Sequence, residues 1–306
     1  MGTAELASAS LRALVRAPSL TVVAVVSQPD KPVGRKLELR PTPVKQTALA
    51  ENLPVLQPLR ARDEIFLADL KQLAPDLIVV AAYGQILPQA ILDLPRHGCL
   101  NVHTSLLPKF RGASPIQTAL LHDERTTGVT IMRMDAGLDT GPILTQRPTE
   151  ILDSDNAQIL HDRLAQLGAE LLVETIPDYV AGKISPRPQP NEGVSHCGKI
   201  HKADGQLDWK LPARGLWNRQ RAFTPWPGAF THWQGKLLKI HQARVVKNSG
   251  SPGEVLRAEA GGIVVGCGEN ALEISELQLE GGKRLTAQQF LLGHQLTPGT
   301  VLEFKV

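Results

Sequence analysis

Two apolar, β-branched runs, residues 21–26 (TVVAVV) and 77–82 (LIVVAA), are separated by stretches of helical periodicity. This alternation constrains the fold more than any other feature. Short continuous apolar runs bounded by turn residues read as buried strands, and strands alternating with amphipathic helices pack as a parallel sheet covered by helices. Residues 99–103 (CLNVH) and 128–134 (GVTIMRM) extend the series as a third and a fourth strand. Helical spacing marks residues 4–15, 43–52, 63–73 and 155–179. The predicted architecture is an α/β, Rossmann-like, doubly wound parallel sheet. One element is out of place. Such a unit begins with a strand, yet Met1, Gly2 and Thr3 run directly into a helical pattern. The first strand is apparently missing, which predicts unpaired backbone and bare apolar surface on its neighbours. A start assigned at an internal Met would explain this, and a chain extended upstream by a short apolar strand is expected to fold better.

The texture changes at residues 183–193 (KISPRPQPNEG), which hold three prolines and few apolar side chains and read as an extended polar linker. Beyond it, residues 237–246, 253–259, 262–265 and 272–279 are short strands between Gly turns, the pattern of a small β-barrel or sandwich. The expected organisation is an α/β domain at 1–182, a Pro-rich linker at 183–195 and a β-barrel domain at 196–306. At 306 residues the chain has room for two cores, and with only 4% aromatic residues these must be largely aliphatic. No apolar run approaches the roughly 20 residues of a membrane helix, and the start lacks the pattern of a signal peptide. Cys99, Cys197 and Cys267 are far apart without metal-ligand spacing, so they read as reduced thiols of a cytoplasmic protein.

Charge is uneven. Residues 1–195 carry 19 basic and 21 acidic side chains, residues 196–306 carry 14 and 9. Between Lys199 and Lys247 ten basic residues face only Asp204 and Asp208. A polyanionic partner and a merely solvated basic face are equally good readings of that bias.

The densest chemistry lies in residues 101–117 (NVHTSLLPKFRGASPIQ). Asn101 and His103 alternate at the end of a strand, so both side chains share one face. Asp139 follows the next strand, in residues 134–141 (MDAGLDTG). Open α/β sheets hold ligands beyond their strand ends, and three polar groups there can meet over one crevice. A lone His or a lone Asp before Thr-Gly is more often structural, so the residue types alone leave the question even.

NVHTSLLPKFRG and MDAGLDTG resemble the two signature blocks of the 10-formyltetrahydrofolate-dependent formyltransferase family, in the same order and spacing. The resemblance implies that Asn101, His103 and Asp139 are catalytic, and that Ser105, Leu106, Leu107 and Pro108 contact the folate. Thr104 stands where members often have Gly. The implied chemistry suits the residue types. An amine attacking a formyl carbonyl builds negative charge on oxygen, which the Asn101 amide can meet. His103 can donate to that oxygen or shuttle a proton. Asp139 can hold His103 charged, or accept the proton lost by the amine. The cosubstrate is 10-formyltetrahydrofolate, with no metal and no covalent intermediate.

The resemblance extends to the acceptor. Residues 28–45 (QPDKPVGRKLELRPTPVK) are similar to a basic loop of the members that formylate methionyl-initiator tRNA, with Arg35 at the position near the acceptor stem. Residues 221–227 (RAFTPWP) resemble the start of their C-terminal domain, which is similar to oligonucleotide-binding barrels. It follows that initiator methionyl-tRNA is the partner, touched by Arg35, Lys36, Lys199 and Lys202, and that the enzyme is a monomer. Trp226, between prolines, reads as core packing. The alternatives are formylation of an amino sugar nucleotide or another small amine, and an inactive RNA-binding protein.

Overall fold

The structure, a computed structural model, describes residues 1–33 and 38–304. The chain forms two compact units, one of Met1–Pro115, Thr126–Glu150 and His161–Cys197, the other of Ile116–Arg125, Ile151–Leu160 and Gly198–Val306.

In the first unit the expected helices form at Glu5–Arg16, Pro43–Ala50 and Glu64–Leu73, and the fourth is the Ala157–Val180 helix. Local chemistry sets their starts. Asp63 caps Glu64–Leu73 by accepting from the Ile65 N–H, and Thr42 caps Pro43–Ala50, with Pro43 in its first turn. Phe66 and Leu70 of Glu64–Leu73 pack with Val26, Ile78, Val80 and Ile91 in one core cluster. The strands Val25–Val26 and Val55–Leu56 pair in parallel, as do Ile78–Val80 and Cys99–His103.

The sheet is not parallel throughout. Thr126–Arg133 runs antiparallel to Cys99–His103, and Ile143–Glu150 antiparallel to Thr126–Arg133. Only the short loop 134–142 joins those last two strands, too short for a helical crossover but ample for antiparallel neighbours. Asp139 therefore does not extend from a strand end parallel to that of His103. Its loop starts beside Cys99, whose carbonyl accepts from Met134 N–H at 2.8 Å, and folds back over the strand.

A cavity of about 620 Å³ opens between residues 22–26 and 77–79, lined mainly by aliphatic side chains of these segments and of the Glu5–Arg16 helix. Of the expected strand 21–26, only Val25–Val26 enters a ladder. Met1 and Gly2 bond to both segments, Gly2 forming an isolated parallel bridge with Ala81. The Met1 ammonium donates to the Val79 carbonyl at 2.6 Å, and the Gly2 N–H donates to the Val26 carbonyl at 2.8 Å. Burial lowers that ammonium's pKa from 8.0 to about 6.

The stretch read as a linker is built into the first unit. Arg187 exchanges two backbone hydrogen bonds with Ile143, and His196–Cys197 runs parallel to Arg111–Gly112. Its polar, Pro-rich composition reflects ladders of one or two residues rather than freedom. The three cysteines are buried and form no disulfide.

The second unit holds a six-stranded antiparallel sheet in the order Ala229–Trp233, Lys236–Val246, Ala271–Leu279, Gly262–Gly266 and Val255–Glu259, with Leu285–Thr286 added to Ala271–Leu279. The expected barrel is not closed by strand pairing among the described residues. The chain near 300–303 instead makes isolated bridges to both edges, at His232 and at Glu254. Leu216 of the Ala213–Ala222 helix and Phe290 of the Ala287–Gly293 helix pack in the core with Leu238, Ile263 and Leu272. Trp226 is not core. It is 58% exposed, in the turn that follows the Ala213–Ala222 helix.

Part of the basic surplus is internal to this unit. Arg214 grips Asp123, Arg221 is buried over the Trp217 ring with its centroid 3.8 Å away, and Arg244 pairs with Glu273. Arg214 and Arg244 thus neutralise carboxylates of the same unit, while Arg221 lies over an uncharged ring. Lys199 and Lys202 are exposed on the second unit.

Candidate active site

Strand alternation places Asn101 and His103 side by side, and the loop 134–142 brings Asp139 to them. The Asn101 amide donates to Asp139 Oδ1 at 3.3 Å, and His103 Nδ1 lies 3.6 Å from Asp139 Oδ2. Asp139 adopts a left-handed backbone, φ +52°, which Asp tolerates better than most residues. Its Oδ2 accepts from the Gly112 N–H at 2.8 Å. Gly112 must be Gly: at φ +119° a Cβ would fall on the Cys197 carbonyl oxygen.

The His103 ring has its tautomer fixed by geometry. Nε2 sits 3.0 Å from the Phe110 carbonyl oxygen, which can only accept, so Nε2 carries the hydrogen. Nδ1, facing Asp139, is the nitrogen that exchanges protons. The ring is 5% exposed. Burial pushes its pKa below the usual 6.5, against the opposing pull of Asp139 and the Phe110 carbonyl. Of the two roles open to Asp139, this direction weighs against a standing imidazolium, because desolvation outweighs a carboxylate that stands just beyond hydrogen-bond distance.

The segment 105–108 forms a tight, internally bonded loop. The Ser105 hydroxyl, fully buried, donates to the Lys109 carbonyl at 2.6 Å. Thr130, from the neighbouring strand, donates to the Ser105 carbonyl at 2.7 Å and accepts from Leu107 N–H at 3.1 Å. Gln146 donates to both Thr130 Oγ1 and the Leu107 carbonyl, each at 2.9 Å. Ser105 and Leu107 thus turn inward to hold the loop, while Leu106 and Pro108 are half-buried and offer side-chain surface. Thr104 is buried. Arg35 and Lys36 lie outside the described residues. No group of three His, Cys, Asp or Glu side chains suited to a metal occurs among the described residues.

Sequence reasoning missed four participants: Gly112, Thr130, Gln146 and Gln189, whose side-chain amide donates to the Asp139 carbonyl. Gly112 falls in the signature block, where its glycine was the available signal. Gln189 fell in the presumed linker, where composition hid it.

Residues 1–176 match the formyl transferase family, and residues 199–295 match the formyl transferase C-terminal domain. The chain is 49% identical over 302 residues to a methionyl-tRNA formyltransferase of Geobacter sulfurreducens, covering 99% of this chain and 95% of that one. It is 50% identical over 300 residues to a methionyl-tRNA formyltransferase of Myxococcus xanthus, covering 98% and 96%. Among solved structures, the sugar 3N-formyl transferase WlaRD, studied in the presence of dTDP and 5-N-formyl-THF, is similar with a TM-score of 0.66. It is 19% identical, over 92% of this chain and 97% of that one, a likeness of fold.

Proposed function

The chain belongs to the formyl transferase family, and on that premise we propose that Asn101, His103 and Asp139 carry its reaction. The activity is that of a methionyl-tRNA formyltransferase. The formyl group of 10-formyltetrahydrofolate passes to the free amino group of methionyl-initiator tRNA, giving the formylated initiator of translation. Identity of 49–50% along nearly the whole chain supports this acceptor, whereas the likeness to the sugar enzyme is one of fold.

The observation that carries the catalytic assignment is the contact of Asn101 and His103 with one carboxylate. The Asn101 amide has two N–H groups. One is directed to Asp139, leaving the second for the formyl oxygen as it gains charge. The attacking amine forms its bond to the formyl carbon and loses a proton to the neutral Nδ1 of His103. The imidazolium so formed is stabilised by Asp139 at the moment it appears. That proton then passes to the departing folate nitrogen as its bond to the formyl carbon breaks, so the site returns to neutral. Leu106 and Pro108 supply apolar surface for the folate, on a loop held by Ser105 and Leu107. Lys199 and Lys202 contact tRNA phosphates, as do Arg35 and Lys36. All catalytic groups come from one chain, so a cytoplasmic monomer suffices.

The test is formyl transfer from 10-formyltetrahydrofolate to methionyl-initiator tRNA by the chain and by its Asn101→Ala and Asp139→Ala variants. Transfer that collapses in both variants supports the reading. Transfer to an amino sugar nucleotide in preference to charged tRNA would refute the acceptor, and variants as active as the parent would refute the site.

A further inference from the structure

We propose that Gln189 is a positioning residue for this reaction, its side-chain amide tying the Asp139 loop to the Arg111–Gly112 strand and so fixing where the Asp139 carboxylate stands. The inference rests on the formyl-transfer reading above. Gln189 Nε2 donates to the carbonyls of Asp139 and Gly141, each at 2.8 Å. Its Oε1 accepts from Arg111 Nε at 3.0 Å and from Arg111 Nη2 at 2.7 Å. Two donors and two acceptor sites are all the amide has, so it is fully used.

These bonds close a ring around one catalytic residue. Gly112 follows Arg111 in the chain and gives its N–H to the Asp139 side chain, while Gln189 holds both Arg111 and the Asp139 main chain. The carboxylate and the carbonyl of Asp139 are therefore anchored to the same short strand. Asp139 has a left-handed backbone that its own conformational preference does not secure, so the restraint comes from outside. The segment bearing Gln189 is itself fastened on both sides: Arg187 bonds Ile143, and the Arg111 N–H donates to the Ser195 carbonyl at 2.9 Å. Gln189 spends none of its bonds on Asn101 or His103. It acts through Asp139.

Two substitutions separate the contacts. Gln189→Leu removes all four bonds. Gln189→Glu keeps an acceptor for Arg111 but sets a carboxylate oxygen against two carbonyls. Each is expected to lower kcat about 100-fold, the scale of a misplacement of roughly 1 Å, with KM for donor and acceptor within about twofold. The Glu variant carries the test if the Leu variant does not fold. In an Asp139→Asn background, Gln189→Leu is expected to add less than about twofold, because a residue that acts through Asp139 has nothing further to lose. The Gly112 amide proton, shifted downfield by the carboxylate, is expected to move upfield in Gln189→Leu. Additive losses in the double variant, a raised KM at unchanged kcat, or a Gly112 signal that does not move would each overturn the proposal. If the parent chain transfers no formyl group to charged tRNA, the functional reading fails while the Gly112 signal still decides the positioning role.

Discussion

Replacing Thr130 by Val is a nearly isosteric change that removes one oxygen from the floor of the 105–108 loop. That hydroxyl is fully buried and uses its whole hydrogen-bonding capacity, donating to the Ser105 carbonyl and accepting from Leu107 N–H and Gln146 Nε2. Gln146 keeps its second acceptor, the Leu107 carbonyl, so it loses little. The Leu107 N–H and Ser105 carbonyl lose these bonds. A buried polar group deprived of its partner costs about 1–3 kcal/mol, so the pair predicts a loss of about 2–6 kcal/mol. The same loosening should raise KM for 10-formyltetrahydrofolate more than KM for the tRNA. The assay is urea unfolding followed by far-UV circular dichroism, together with initial-rate kinetics. Tryptophan fluorescence supplies a control, because Trp209, Trp217, Trp226 and Trp233 all lie in the second unit. A stability change below about 0.5 kcal/mol with unaltered KM, or a shift seen only in fluorescence, would refute the reasoning.

Asn101→Ala should lower kcat by roughly 100- to 1,000-fold with KM nearly unchanged, as expected for a donor aimed at transition-state charge; a KM effect alone would contradict that role. Gly112→Ala should destabilise the first unit and lower kcat together, since the added Cβ collides with the Cys197 carbonyl and displaces the N–H that holds Asp139; a fully active, stable variant would show that the strand yields without cost. The Met1 ammonium titrates at 8.0 when free and about 6 when buried, so the unfolded chain takes up its proton first as pH falls. Stability should therefore decline between pH 8 and 6, and a chain extended upstream by a short apolar strand should melt higher and lose that dependence. Equal melting curves for the two chains would rule this out. His103, with its folded pKa below 6.5, should add a further decline as pH falls below 6.5, absent from His103→Asn.

Asn101 and His103 were readable as neighbours because strand alternation is local, and Asp139 because its loop sits in a recognisable block. The cavity beside residues 22–26 is lined by Met1 and Gly2, where the sequence led one to expect a strand. What escaped depends on contacts distant in sequence. The direction of Thr126–Arg133 is set by its partners, not by its composition. The charge of His103 is decided by how completely other segments cover it, against a carboxylate 36 positions away. Trp226 looked like core because its neighbours are prolines and apolar residues, yet whether a turn is covered depends on what packs over it. Arg214 and Arg221 looked like free charge because Asp123 and Trp217 become their partners only once the chain is folded.

The anchoring of residues 187–197 changes where this protein can be cut and rejoined. A chimera spliced at residue 183, where composition changes, would take Gln189, Ser195 and Cys197 from a foreign chain and leave the Arg111–Gly112 strand with a mismatched neighbour. A junction after Cys197 keeps that edge native. The same logic makes the segment a poor place for protease nicking or tag insertion despite its prolines, since each opening there would first have to unzip a wall of the active site.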